Sequence, residues 1–160
     1  GCAMTLKHNY PELIGRELGF EVMHVAQYLS ERNVLNTKDM RPISIKATFH
    51  NPCHLNRGMD SPEVLRTVLA SIPGVKVIDM EEADRCCGAG GGVRAGERQL
   101  SMMIARRKAE FIINSRAEAC VTQCPFCYIQ IQDILKQVGY EQIKMYDLAD
   151  LLLMSYTAGQ

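Results

Sequence analysis

Ala119-Cys120-Val121-Thr122-Gln123-Cys124-Pro125-Phe126-Cys127 is the stretch that decides the fold. Residues 119–122 read as a short buried strand, and Pro125 stands where a helix tolerates a missing N–H. The stretch is therefore a strand running into a helix, with two thiols at the turn, and the helix is expected over about 125–138. Beyond it, residues 143–146 predict a further strand, followed by a helix holding Leu148, Leu151, Leu152 and Leu153. On the N-terminal side, residues 96–116 have helical spacing, with Met102, Met103, Ala105, Ala109, Ile112 and Ile113 on the apolar side. A strand over 75–80 precedes them. Ser61-Pro62-Glu63 offers an N-cap and a first-turn Pro to a helix bearing Val64, Leu65, Val68 and Leu69, ending near Pro73-Gly74. An extended run at 43–50 opens the series. Strand and helix thus alternate four times, which predicts an α/β layered domain with a mainly parallel sheet of about four strands flanked by helices.

An N-terminal helical segment precedes this domain. Pro11 to Ile14, then Val22, Val25, Ala26 and Leu29, keep helical spacing, interrupted by Gly15 and Gly19, and 33–42 reads as a connection. The boundaries expected are a helical segment over 1–42 and a cysteine-rich domain over 43–160. At 160 residues the chain suits one domain with a real core, burying roughly 70% of its unfolded surface. Eighteen basic against eighteen acidic residues give no net charge, which argues against nucleic acid as a partner. No apolar run approaches the ~20 residues of a membrane span. The opening Gly1-Cys2-Ala3-Met4-Thr5 lacks the features of a signal peptide, and without an initiator Met the chain is expected to be a piece of something longer.

Cysteine carries the chemistry. There are seven: Cys2, Cys53, Cys86, Cys87, Cys120, Cys124 and Cys127. An odd count with one adjacent pair and one Cys-x-x-Cys fits a metal or redox site in a reducing cytoplasm better than a disulfide scaffold. Cys53, the pair Cys86-Cys87 and the pair Cys124/Cys127 each follow a predicted strand, where parallel sheets gather ligands at their carboxyl edge. Thirty-two residues separate Cys53 from Cys86, and thirty-six separate Cys87 from Cys124. Thiolates select soft metals and iron–sulfur clusters, and five on one edge suffice for a polynuclear cluster. Cys120 stands outside the pattern, inside a strand, and is expected to be a buried structural thiol.

With Cys86-Cys87-Gly88, both long gaps, Asn51-Pro52-Cys53-His54-Leu55 and Gly88-Ala89-Gly90-Gly91-Gly92, the sequence resembles the CCG cysteine-rich domain over about 43–155. The family includes the B and D subunits of heterodisulfide reductase and the iron–sulfur subunits of glycolate oxidase, anaerobic glycerol-3-phosphate dehydrogenase and lactate utilisation. The resemblance implies an oxidoreductase subunit whose Cys53, Cys86, Cys87, Cys124 and Cys127 bind a [4Fe–4S] cluster, non-cubane in the heterodisulfide reductases. That cluster would reduce a disulfide or relay electrons. The partners implied are a second CCG copy and a flavin- or iron–sulfur-containing subunit, through which the chain could be held at a membrane. Cys2-Ala3-Met4-Thr5-Leu6-Lys7 is similar to Cys127-Tyr128-Ile129-Gln130-Ile131-Gln132, so 1–42 is expected to be the tail of a preceding copy plus a linker, with Cys2 a ligand of that copy's cluster or merely an exposed thiol.

Around the thiols, Gly88, Gly90, Gly91 and Gly92 form neither a phosphate loop nor a dinucleotide fingerprint. Their expected use is to bring backbone close to a bulky cluster, the bland reading being a flexible loop. Arg94 is a candidate to offset cluster charge or bind an anionic substrate, or is simply solvated. His54, like His50, flanks Cys53 and could bond a sulfur or deliver a proton. Two other classes stay open: structural zinc on four of these thiols, which an isolated domain could acquire in place of a cluster, and a glutaredoxin-like use of Cys124-Pro125-Phe126-Cys127.

Overall fold

The computed structural model describes residues 1–157. Helix α1 (Cys2–Met4) runs through a π-helical turn, Thr5–Asn9, into α2 (Tyr10–Ile14), which Gly15 ends in a left-handed conformation at φ 67°. After α3 (Val25–Glu31) the chain enters the sheet: β1 (Ile45–Phe49), α4 (Cys53–Asn56), α5 (Val64–Ser71), β2 (Val75–Val77), α6 (Val93–Gly96), α7 (Arg98–Asn114), β3 (Ala119–Thr122), α8 (Pro125–Gln137), β4 (Lys144–Asp147) and α9 (Leu148–Thr157). The four strands lie in the order β2-β1-β3-β4 and every pairing is parallel. The fold is thus the α/β layered domain with a four-stranded parallel sheet and an N-terminal helical segment.

Alternating side chains divide the core into two layers. Ala47, Phe49, Ala119 and Val121 face Leu65, Val68 and Leu69 of α5, Ala26 of α3 and Leu148 and Leu151 of α9. Cys120 and Met145 face Ala105, Ala109 and Ile112 of α7 and Ile131, Ile134 and Leu135 of α8. From β1 the chain crosses to β2 on one side. From β2 it returns past β1 to β3 on the other, so the winding reverses between β1 and β3. Right-handed crossovers then require the intervening helices to lie on opposite faces, as they do. A crevice opens above the carboxyl ends of β1 and β3, where such sheets bind ligands.

Several elements differ from the sequence expectation. The strand expected over 75–80 ends at Val77, because β1 offers its partner no register beyond Ala47. Ile78 still donates to the Ala47 carbonyl at 2.9 Å before the chain turns away. Ser61 caps nothing: its hydroxyl donates to Met59 O at 3.0 Å and accepts from Gln27, and α5 begins at Val64 without a side-chain cap. The helix expected over 96–116 is α7, and a separate single turn, α6, precedes it across a break at Glu97. Met103 is 69% exposed, and the buried stripe of α7 is Ser101, Ala105, Lys108, Ala109 and Ile112. No helix among the described residues is long and apolar enough to cross a membrane.

Candidate metal centre

Three loops bring their thiols to the crevice. Cys53 opens α4 directly after β1, Cys86-Cys87 lie in the loop between β2 and α6, and Cys124 is the N-cap of α8. Cys124 is extended, and Pro125 follows as the first helical residue, so Cys127 falls within the first turn of α8. All five line one cavity of about 650 Å³ together with Cys2, His50, His54, Gly90, Gly91, Gly92, Arg94 and Arg98. A smaller cavity of about 180 Å³, lined by Cys2, His24, Cys53 and Cys124 among others, adjoins it. None of the seven cysteines is in a disulfide. Cys120 is fully buried in the α7/α8 layer, away from the cavity lining, and burial pushes its thiol up to about 12.

Cys87 and Cys127 are buried, with their sulfurs 3.2 Å apart. Cys127 interacts with both Cys87 and Cys124. Accordingly the Cys127 thiol is held well above its ordinary range, and Cys87 is held well below it, chiefly by Cys127. Cys124 is lowered to about 5, chiefly by the Cys127 S–H, with help from the Cys127 and Phe126 backbone N–H groups at the start of α8. Cys87 and Cys124 are thereby prepared to bind a metal as thiolates, whereas Cys127 must give up its proton to do so.

His50, 1% exposed, stands beneath them. Its Nδ1 lies 3.1 Å from the Ala83 carbonyl, which can only accept, so Nδ1 carries the proton. Nε2 is buried without a hydrogen-bond partner, and a ring nitrogen of His50 shares a space within 4.8 Å with the sulfurs of Cys87 and Cys127. An orphaned nitrogen beside two buried thiols fits a metal-binding centre better than a closed core. His54, by contrast, is exposed at the cavity rim.

The glycines divide. Gly88, at φ 87°, lies so close to α7 that a Cβ would sit 2.5 Å from the Ser101 carbonyl oxygen, and its N–H reaches Cys86 Sγ at 3.3 Å. Gly91 and Gly92 are left-handed but face open space, and Gly90 has neither constraint. Arg94 is not simply solvated, since its guanidinium donates to Asp133 and Gln130 of α8. Gln130 is fully buried and donates to Ser101 Oγ at 2.9 Å, and Ser101 Oγ donates to Gly88 O at 2.8 Å. This chain, Arg94 to Gln130 to Ser101 to Gly88, clamps the glycine loop to two helices. Sequence reading missed Gln130 and Ser101, although each is a polar residue standing in an apolar helical register.

Parallel sheet, switch-point crevice and five convergent thiols define the class as a cysteine-rich domain suited to metal or redox chemistry. The family profile described as a cysteine-rich domain, CCG, matches residues 47–132, and the chain belongs to that family. It is 37% identical over 157 residues to the B subunit of fumarate reductase (CoM/CoB) from Methanothermobacter marburgensis, covering 98% of this chain and 31% of that protein. It is 38% identical over 137 residues to the D subunit of the dihydromethanophenazine:CoB–CoM heterodisulfide reductase from Methanosarcina barkeri, covering 83% of this chain and 34% of the relative. Over 160 residues it is 31% identical to the EtfAB:quinone oxidoreductase of Syntrophomonas wolfei, covering 92% and 22%. The chain therefore spans about a third or less of these relatives. They are oxidoreductases by name, two of them subunits of larger assemblies.

Proposed function

We propose that Cys53, Cys86, Cys87, Cys124 and Cys127 hold a [4Fe–4S] cluster, and that the chain is the C-terminal CCG unit of an iron–sulfur subunit that reduces a disulfide or relays electrons from a flavin- or iron–sulfur-containing partner. The convergence of five thiols from three loops on one cavity at the switch point carries this reading. Such a cluster supplies one-electron transfer next to a pocket of substrate size. Residues 1–42 are then the tail of a preceding copy plus linker, a reading supported by Cys2 lying in the wall of the same cavity. The setting that keeps such thiols reduced is the cytoplasm.

The chain's own residues divide the remaining work. Gly88 lets the backbone approach closely, and Arg94 holds the glycine loop in place through Gln130 and Asp133. Because Arg94 already answers Asp133, the open cation at the cavity wall is Arg98, which pairs with no carboxylate among the described residues and suits an anionic group on the substrate. His54 at the rim can hand a proton to a departing thiolate.

Anaerobic reconstitution of the chain with iron and sulfide, followed by metal analysis and low-temperature electron paramagnetic resonance, tests the reading. About four irons per chain are expected, with the signal lost in Cys87→Ser. One zinc and no iron would replace the reading with a structural zinc site, for which the set His50, Cys87 and Cys127 is the matching observation.

A further inference from the structure

The buried stripe of α7 carries a lysine. Lys108 is 0% exposed, and its Nζ donates to the Glu82 carbonyl at 2.6 Å and, more weakly, to the Ala83 carbonyl at 3.5 Å. No carboxylate lies within ion-pair distance of it among the described residues, and the Glu82 side chain is paired with Arg85. An ammonium group taken out of water with only carbonyl dipoles for company is a costly choice for a core, tolerated where an anion answers it. Burial lowers the Lys108 pKa, and the Cys120 and Cys87 thiols and then the Asp84 and Glu82 carboxylates oppose that shift. The Ala83 carbonyl that Lys108 reaches is shared with His50, whose ring stands beside Cys87 and Cys127, and the Glu82 carboxylate is already paired with Arg85, so an anionic centre on the Cys87 side is the charge it can answer.

The hydrogen bonds of Lys108 also fall where they matter. Ala83 O accepts from Asn51 N at 3.0 Å and from His50 Nδ1 at 3.1 Å as well. Side chains from α7 and the end of β1 thus converge on one turn, three residues before Cys86. Glu82 within that turn is left-handed at φ 51°, a conformation a non-glycine residue keeps only when its surroundings enforce it. We propose that Lys108 is the buried counter-charge of the anionic thiolate centre and the positioning residue of the turn that presents Cys86 and Cys87. This rests on the cluster reading above, and it goes beyond the ligand set by assigning the centre's potential to a residue that touches none of the sulfurs. A fixed positive charge favours the more negative, reduced state of the centre, so its loss lowers the reduction potential.

The test compares native chain, Lys108→Met, Lys108→Gln and Lys108→Arg after anaerobic iron and sulfide reconstitution, reading irons per chain and the midpoint potential. Circular dichroism of each metal-free variant checks folding. Lys108→Gln keeps a donor for the Glu82 carbonyl and removes the charge, so it separates electrostatics from loop anchoring. The expected result is a midpoint shifted to more negative values in Lys108→Met and Lys108→Gln, with Lys108→Arg restoring the native value. Loss of iron in the two neutral variants with retention in Lys108→Arg also supports the proposal. A native midpoint in either neutral variant, or loss of iron in all three, overturns it. A native chain that takes up no iron overturns the cluster reading itself and this proposal with it, an outcome distinct from every variant-specific failure.

Discussion

Gly88 is the position in the glycine loop where the missing side chain is required. A left-handed backbone and a carbonyl 2.5 Å from the would-be Cβ both oppose any substitution, and the opposing atom is helix backbone, which cannot swing aside. Gly88→Ala is expected to cost about 1–3 kcal/mol, read as a lower urea midpoint of the metal-free chain. Gly90→Ala, facing open space at an ordinary φ, should stay within about 0.5 kcal/mol of native. Equal losses at both positions would show that the loop as a whole, not the Gly88 approach to α7, carries the constraint. The cysteine spacing displayed the thiols at this scale, because a reactive residue type announces itself. Lys108, Ser101 and Gln130 stayed hidden because a polar residue in an apolar register reads as an error in the helical face until its buried partner is known.

Helix α3 shows what a cap does here. His24 Nδ1 accepts the Ala26 N–H at 3.2 Å, and Gln27 Oε1 accepts the His24 N–H at 2.9 Å, closing a reciprocal box. Burial lowers the His24 pKa below its ordinary value, with Asp147 opposing the shift. Protonation puts a hydrogen on the accepting nitrogen and destroys the cap. Since the folded chain binds this proton less readily than the unfolded one, the contribution is complete above the ordinary pKa of about 6.5 and is lost as pH falls below it toward the folded value. The loss amounts to about 1 kcal/mol. His24→Asn, which keeps an acceptor without titrating, should flatten the change in urea midpoint between pH 7.5 and pH 5, and an unchanged slope would count against the cap. The same logic of local signals explains which elements were legible. Pro125 and the apolar run 119–122 announced β3 and α8, whereas α4 and α6, each a single turn, are too short to show periodicity. Ser61 offered a cap signature and was taken instead by Gln27 from α3, a partner distant in sequence.

At the scale of the whole molecule, alternating strands and helices made a parallel sheet legible, but not the order β2-β1-β3-β4, which depends on which way each crossover turns. That order creates the crevice, so the sequence shows five thiols each following a strand while the reversal of winding between β1 and β3 makes their loops meet. The N-terminal segment has a different standing in the molecule. No residue of α1 or α2 is buried, and the segment rests on the domain through Ala3 and Met4 and through His8, whose ring nitrogen lies 3.0 Å from the Gly58 carbonyl. The two core layers draw their buried residues from Ala26 onward. A chain lacking residues 1–20 should therefore fold with a thermal midpoint within a few degrees of native, since truncation removes only surface packing worth on the order of 1 kcal/mol. It should keep the native iron content on reconstitution, because Cys2 is outside the five-thiol set, while its cavity opens toward solvent where Cys2 formed the wall. A truncated chain that unfolds would make the segment part of the core. One that folds but loses iron would move Cys2 from the wall of the cavity into the ligand set.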